Sequence, residues 1–300
     1  MTVAAAAAVG AGFALDVLTG EPPTEAHPVA WFGKLVASVD REWSHPRLVG
    51  ALATLVLPVV AAGVVGGLVF LVEQYDTWYG AGAAAVALYL TTSLRMLLRE
   101  GLRVVRLSED DEAEAREALL SLAGRDASEL SAGQLRSAAV ESVAENLADG
   151  FVAPLFAFTL FTTVALPFAA AAAVWVKAVN TLDSMLGYHS KPVGWAPARL
   201  DDVVMWLPAR LSALLIVQAA RQPRALLRAR YWLSEVPSPN SGWPMGAIAA
   251  VLDVRLEKPG VYVLNAGADL PSPQKARRGI QVVGSAGLVA VLYAGVVAWL

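Results

Sequence analysis

The chain has no cysteine, which excludes disulfides and thiolate metal sites. Its three histidines, His27, His45 and His189, are scattered and lack zinc-ligand spacing. No G-x-x-x-x-G-K-[ST] loop, G-x-S-x-G elbow or HExxH pair is present. Any nucleotide is therefore held without the familiar phosphate loop. No basic tract exists either. Net charge is -3, and 18 arginines and 5 lysines are spread along the chain, so nucleic acid is not an expected partner. No positive residue precedes the apolar stretch Met1 to Leu15, which Asp16 closes. It reads as a helix kept in the mature protein rather than a secretory signal.

Charge itself is scarce. Charged residues make up 16% of the chain, against roughly 25% in an average soluble domain. What is present instead is apolar and clustered. Val49 to Val72 is 24 residues without a charge, Thr77 to Leu94 is 18, and Gly279 to Leu300 is 22. A helix crosses a bilayer core with roughly 20 apolar residues. The expectation is an all-α integral membrane protein, a polytopic helical bundle of roughly four to six spans over a single domain, 1–300, in the cell membrane. Strong spans fall near 50–72, 78–98 and 280–300, and weaker ones near 2–18, 151–176 and 203–220. Alanine runs such as Ala4 to Ala8 and Ala169 to Ala173 suit close helix packing in lipid.

The segments between the spans are polar and helical in pattern. Arg95, Arg99, Arg103 and Arg106 extend a helix out of the third span, as a solvated face or a phosphate clamp. Gly124-Arg125-Asp126 reads as a helix break. Six simple spans would place 177–202 on the side opposite to 96–150 and 221–279. If 151–176 and 203–220 are re-entrant or broken, all polar motifs meet at one cytoplasmic-facing site, and this is the expected arrangement.

Polar islands stand at the edges of these apolar runs, where they are costly and therefore informative. In ESVAENLADG, Glu141, Glu145 and Asp149 follow at i, i+4 and i+8, with Asn146 beside them. Like charges in a column repel unless a cation lies between, and Mg²⁺ with phosphate oxygens is the natural one. The alternative is a solvated stripe. In KAVNTLDSMLGY, Lys177, Asn180 and Asp183 are a turn apart, as ligand groups or as a capping arrangement. GWAPARLDDVVMWLPAR carries Arg199, Asp201, Asp202 and Arg210, with an intramembrane ion pair as the structural alternative. SPNSGWP offers Asn240, Ser241 and Trp243 on a rigid turn, or is a plain loop. LDVLTGEPPTEAHPVAWFGK holds Glu21 and His27 in a tight loop, with His27 before Pro28 read as structural.

These strings, taken in order, resemble the stretches that mark the CobD/CbiB family, from Asp16 to about Leu264. Small departures stand out: a short YHSKPVGWAPARL, Met205 in place of the usual asparagine, and Met245-Gly246 after GWP. The resemblance implies an adenosylcobinamide-phosphate synthase of cobalamin biosynthesis. Such an enzyme would join adenosylcobyric acid to (R)-1-aminopropan-2-ol or its O-phosphate at the expense of ATP, with Mg²⁺. Glu141, Glu145, Asp149 and Asp183 are then the expected catalytic and metal-binding groups. Asn146, Lys177, Asn180, Arg199, Asp201, Asp202, Arg210, Asn240 and Trp243 are the expected substrate-binding groups. Trp31 and Trp195 are further candidates to pack on the corrin edge. The expected partners are these substrates, the lipid bilayer and other late corrinoid-pathway membrane enzymes. Two other readings fit the Asn-x-x-Asp spacings or the hydropathy: a transferase binding Mg-diphosphate, and a corrinoid transporter or scaffold without catalysis.

Overall fold

The computed structural model describes residues 2–124, 127–187 and 191–300. His189 and Ser190, and Arg125 and Asp126 of the expected break, lie outside the described residues. Fourteen helices appear among the described residues. In chain order they are α1 Thr2–Thr19, α2 Pro28–Ala37, α3 Pro46–Glu73, α4 Thr77–Thr91, α5 Leu94–Asp110, α6 Glu112–Ala123 and α7 Ala132–Leu147. Then follow α8 Ala153–Thr162, α9 Leu166–Leu186, α10 Trp195–Val204, α11 Trp206–Ala219, α12 Ala225–Ala229, α13 Gly242–Leu252 and α14 Pro273–Trp299. One short antiparallel hairpin, β1 Leu256–Lys258 with β2 Tyr262–Leu264, pairs Glu257 with Val263.

Five helical stretches are long and apolar enough to cross a membrane: Thr2–Thr19, Pro46–Glu73, Thr77–Asp110, Ala132–Thr162 and Pro273–Trp299. The protein is a polytopic helical membrane protein, as its composition demands. The two weaker stretches, 151–176 and 203–220, are broken, as the expected arrangement has them. Residues 151–176 are not one helix. The threonine hydroxyls of Thr162 and Thr163 bond back to the carbonyls of Thr159 and Leu160, and Ala165 is extended at φ -171°. Pro167 then opens α9, where its missing N–H costs nothing. Residues 203–220 are divided between α10 and α11, and α11 at 14 residues is too short to cross a bilayer core.

The chain divides into two compact units, each assembled from separate stretches. The first comprises 1–93, 149–205 and 291–300. Its helices pack through small residues. Gly12 of α1 lies against Ala85 and Leu88 of α4, and Gly66 of α3 against Pro167 and Ala171 of α9. Leu55, Val59, Leu68 and Leu71 of α3 are exposed, as a lipid-facing surface requires. Beyond the apolar stretch, Val36, Leu182, Leu186 and Val193 form a small core with Phe32 and Leu57 packed on it.

The second unit comprises 94–148 and 206–290. Gly101 of α5 meets Val143 of α7 and Ile280 of α14, and Gly279 meets Leu252 of α13. Arg95, Arg99, Arg103 and Arg106 are all exposed on α5, so they form the solvated face. Ser131 and Gln134 close a capping box at the start of α7. Gly124 ends α6 in the left-handed conformation at φ 60°, the stop expected of a glycine there.

Candidate functional site

The main polar cluster lies in the first unit and draws on three distant strings. After α7 the chain makes a π turn, Ala148–Val152, before Pro154 starts α8. Pro154 has no N–H to give the carbonyl four residues back, that of Gly150. Gly150 O instead accepts the backbone N–H of Ser93 at 3.2 Å. A Cβ on Gly150 would stand 3.2 Å from Ser93 Oγ, so glycine permits this approach. The Ser93 hydroxyl in turn donates to the Glu21 carboxylate.

Lys177 of α9 is half-buried, and Glu21 and Asp149 supply the opposing charge. Burial pushes the Glu21 carboxyl above its usual range, while Lys177 and the Ser93 hydrogen bond oppose the rise. His27 completes the cluster. Its Nδ1 accepts the Val29 N–H at 3.2 Å and so caps α2, which leaves the ring proton on Nε2. Nε2 faces Glu21 Oε2 at 4.0 Å. Burial, then the nearby Lys177 charge, holds the imidazole below its usual pKa, that is, neutral. The stem of Lys177 lines an apolar cavity of about 650 Å³ between α2, α3, α4 and α9, with Thr91 and Thr181 as its other polar edges.

A second acidic pair stands in the same unit. Asp183 sits in the last turn of α9, past the uncharged run. Burial and then the charge of Asp202 on α10 push its pKa up to about 6. Asp183 also closes tightly on the chain after it. The Gly187 N–H donates to Asp183 O at 2.7 Å, and a Cβ at Gly187 would fall 1.9 Å from Asp183 Oδ1. Only glycine fits there. Asn180 and Asp201 are half-buried in this region and Arg199 is exposed.

The second unit holds two arrangements. Glu141 is buried on α7, where Oε1 accepts from Ser137 Oγ at 2.9 Å and Oε2 from Tyr262 Oη at 2.6 Å. Ser137 Oγ also accepts the Glu257 N–H at 2.8 Å. The carboxylate thus fastens the hairpin to α7. Glu145 and Asn146 are half-buried one turn on, and the Asn146 amide donates to Ser142 O within its own helix. The other arrangement centres on Arg210 of α11. Its guanidinium carbon lies 4.2 Å from the Trp206 ring centroid and 5.2 Å from that of Trp243. Nη1 donates to Trp206 O at 2.6 Å and to Asn240 Oδ1 at 3.2 Å. Among the described residues of the second unit no carboxylate forms an ion pair with Arg210.

The structure therefore regroups the expected residues. Lys177 takes its opposing charge from Glu21 and Asp149 rather than from its helix neighbour Asp183, and the charge of Asp202 bears on Asp183. Among the described residues no three His, Cys, Asp or Glu side chains gather as a metal site. Glu21, Ser93, Trp206 and Tyr262 were not singled out as site residues. Trp206 was open to detection, because it stands four residues before Arg210 on one helix face.

One protein-family model, described as CobD/CbiB protein, matches residues 9–286. A probable cobalamin biosynthesis protein CobD of Methanothrix thermoacetophila is 36% identical, over 93% of this chain and 92% of its own. The cobalamin biosynthesis protein CobD of Klebsiella pneumoniae is 40% identical over 83% and 81%. The cobalamin biosynthesis protein CbiB of Salmonella typhi is 38% identical over 89% and 86%. No solved structure matches the chain.

Proposed function

The chain belongs to the CobD/CbiB family, and on that premise we propose that it works in cobalamin biosynthesis as a membrane-bound, ATP-dependent acid–amine ligase. Its substrates are adenosylcobyric acid and (R)-1-aminopropan-2-ol or its O-phosphate. The observation that supports this reading is the family match across nearly the whole chain, 9–286, which spans every polar string.

The chemistry balances as follows. A carboxylate oxygen of the corrinoid attacks the γ-phosphorus of ATP, and ADP leaves. The amine nitrogen attacks the acyl carbon and loses a proton, and inorganic phosphate leaves with one former carboxylate oxygen. Phosphoryl transfer is mostly positioning and charge compensation. Lys177 lines the apolar cavity, where the charges of Glu21 and Asp149 favour its ammonium form against burial, and it would offer positive charge to the phosphates. Glu21, hydrogen-bonded to Ser93 and next to neutral His27, is placed to accept the amine proton.

Mg²⁺ needs only one or two carboxylates besides phosphate oxygens and water. Asp183 with Asp202 would suit that requirement, since burial and then the Asp202 charge raise the Asp183 pKa, and a bound cation would offset both. Glu141 does not fit, because both its oxygens already accept protein hydrogen bonds. When bound, the metal would supply charge neutralisation for the nucleotide phosphates.

The test uses membranes given adenosylcobyric acid, the amine or its phosphate, and Mg-ATP. Mass spectrometry should find the amide and an equal amount of ADP. With ¹⁸O in the substrate carboxylate, one label should appear in inorganic phosphate. Amide formation without that label would remove the acyl-phosphate step, and absence of amide with either amine would overturn the reading.

A further inference from the structure

We propose that Arg210, walled by Trp206 and Trp243 in the second unit, is a phosphate-binding site. An arginine carries five N–H donors in a planar fork. Here only Nη1 is used by protein, for Trp206 O and Asn240 Oδ1. Among the described residues Nε and the two Nη2 hydrogens meet no protein acceptor. That free edge is the one that grips two phosphate oxygens side by side.

The surroundings make this a built site rather than a loose surface side chain. Arg210 is half-buried, and among the described residues of the second unit no carboxylate forms an ion pair with it. A partly desolvated charge without a counter-ion is costly unless a ligand supplies one. Two indole rings stand over the guanidinium at 4.2 and 5.2 Å. They fix its plane by cation–π attraction and leave its outer edge to the ligand. The SPNSGWP turn holds the other side. Ser238 Oγ accepts the backbone N–H groups of Asn240 and Ser241 at 3.2 and 3.3 Å, and Trp243 N donates to Asn240 O at 3.0 Å. Asn240, only 6% exposed, is thereby aimed at Arg210. The turn that looked like a plain loop is the clamp of this site.

The ligand is a phosphate with at least two accessible oxygens. Two sources carry that chemistry: a soluble phosphate compound, such as the nucleotide or phosphorylated amine of the proposed reaction, and a lipid headgroup. Only the choice between those sources rests on the ligase reading.

The experiment uses the full chain in a phosphate-free maltoside detergent. Arginines are modified with phenylglyoxal and mapped by mass spectrometry, with Arg199 as an exposed reference. Inorganic phosphate, ATP or aminopropanol phosphate should protect Arg210 and leave Arg199 reactive. Protection only by a short-chain phosphatidylglycerol also supports the site and assigns it to a headgroup. Protection by none of them overturns the proposal, even where amide formation is normal. Protection without amide formation leaves the site standing and removes the ligase reading. As a second arm, Arg210→Lys keeps the charge and loses the fork, so phosphate affinity measured by calorimetry should drop about tenfold or more. Unchanged affinity in a folded Arg210→Lys protein would likewise overturn it.

Discussion

Glu21 and Glu141 are both sheltered carboxylates in a membrane protein, and their partners set them apart. Glu141 is answered by two hydroxyls, Ser137 and Tyr262, and through Ser137 by the backbone of Glu257. Neutral donors of this kind satisfy a carboxylate and lock local structure. Glu21 is answered by an ammonium, a hydroxyl and an imidazole, and that ammonium's residue, Lys177, lines a cavity of about 650 Å³. Those partners can exchange charge and protons with a ligand. Partner chemistry, more than burial or sequence spacing, separates the fastening carboxylate from the one that the proposed reaction would use.

The largest expected effect comes from removing the cation of the first arrangement. Lys177→Met leaves Glu21 and Asp149 facing each other's charge in enclosed space. The loss should be readable as a lower melting temperature and poor recovery of folded protein. Adding Glu21→Gln should restore part of that loss, whereas adding Asp183→Asn should not. Rescue by Asp183→Asn would return Lys177 to its helix neighbour and undo the comparison.

Next in size is Asp183→Asn, which keeps shape and removes charge. The protein should fold and insert, and kcat should fall roughly 10²-fold or more, as for other groups that compensate charge in a transition state. A change of less than threefold in a well-folded variant would mean that the Asp183–Asp202 pair lies outside the chemistry.

On the fastening side, Tyr262→Phe removes one hydrogen bond to the buried Glu141 carboxylate. Thermal unfolding should show a loss of about 1.5–3 kcal/mol, with turnover per folded molecule nearly unchanged. Loss of turnover without loss of stability would make Glu141 a reacting group after all. The smallest effect is expected for Gly150→Ala. Its new Cβ would crowd Ser93 Oγ at 3.2 Å, for a cost of about 1 kcal/mol. Turnover should change through the Ser93–Glu21 contact and the Michaelis constants should hold.

These contrasts also show what the amino-acid order revealed. The spans near 2–18, 50–72, 78–98 and 280–300 follow from run length, because lipid leaves a helix no other way to satisfy its backbone, whereas Ala132–Thr162 is not visible that way because its first half carries charge. The break at 163–165 was hidden, since Thr163, Val164 and Ala165 carry no charge, and only Pro167 hinted at it. Site residues were found as strings, but their pairing was not. Spacing along a helix displays neighbours such as Lys177 and Asp183, whereas the actual partner of Lys177 is Glu21, brought in from the loop after α1. Likewise Tyr262, from a hairpin far along the chain, decides what Glu141 does. The Gly-Glu-Pro-Pro turn signalled a fixed loop, and the structure shows what it fixes.

The most direct measurement compares three proteins in one assay: wild type, Asp183→Asn and Tyr262→Phe. Each is given adenosylcobyric acid, the amine substrate and Mg-ATP, and amide and ADP are counted per folded molecule. The account predicts equal amide and ADP from wild type and Tyr262→Phe, and little of either from Asp183→Asn. Full turnover by Asp183→Asn with loss in Tyr262→Phe would contradict it, placing the chemistry at Glu141 and the fastening at the first-unit cluster.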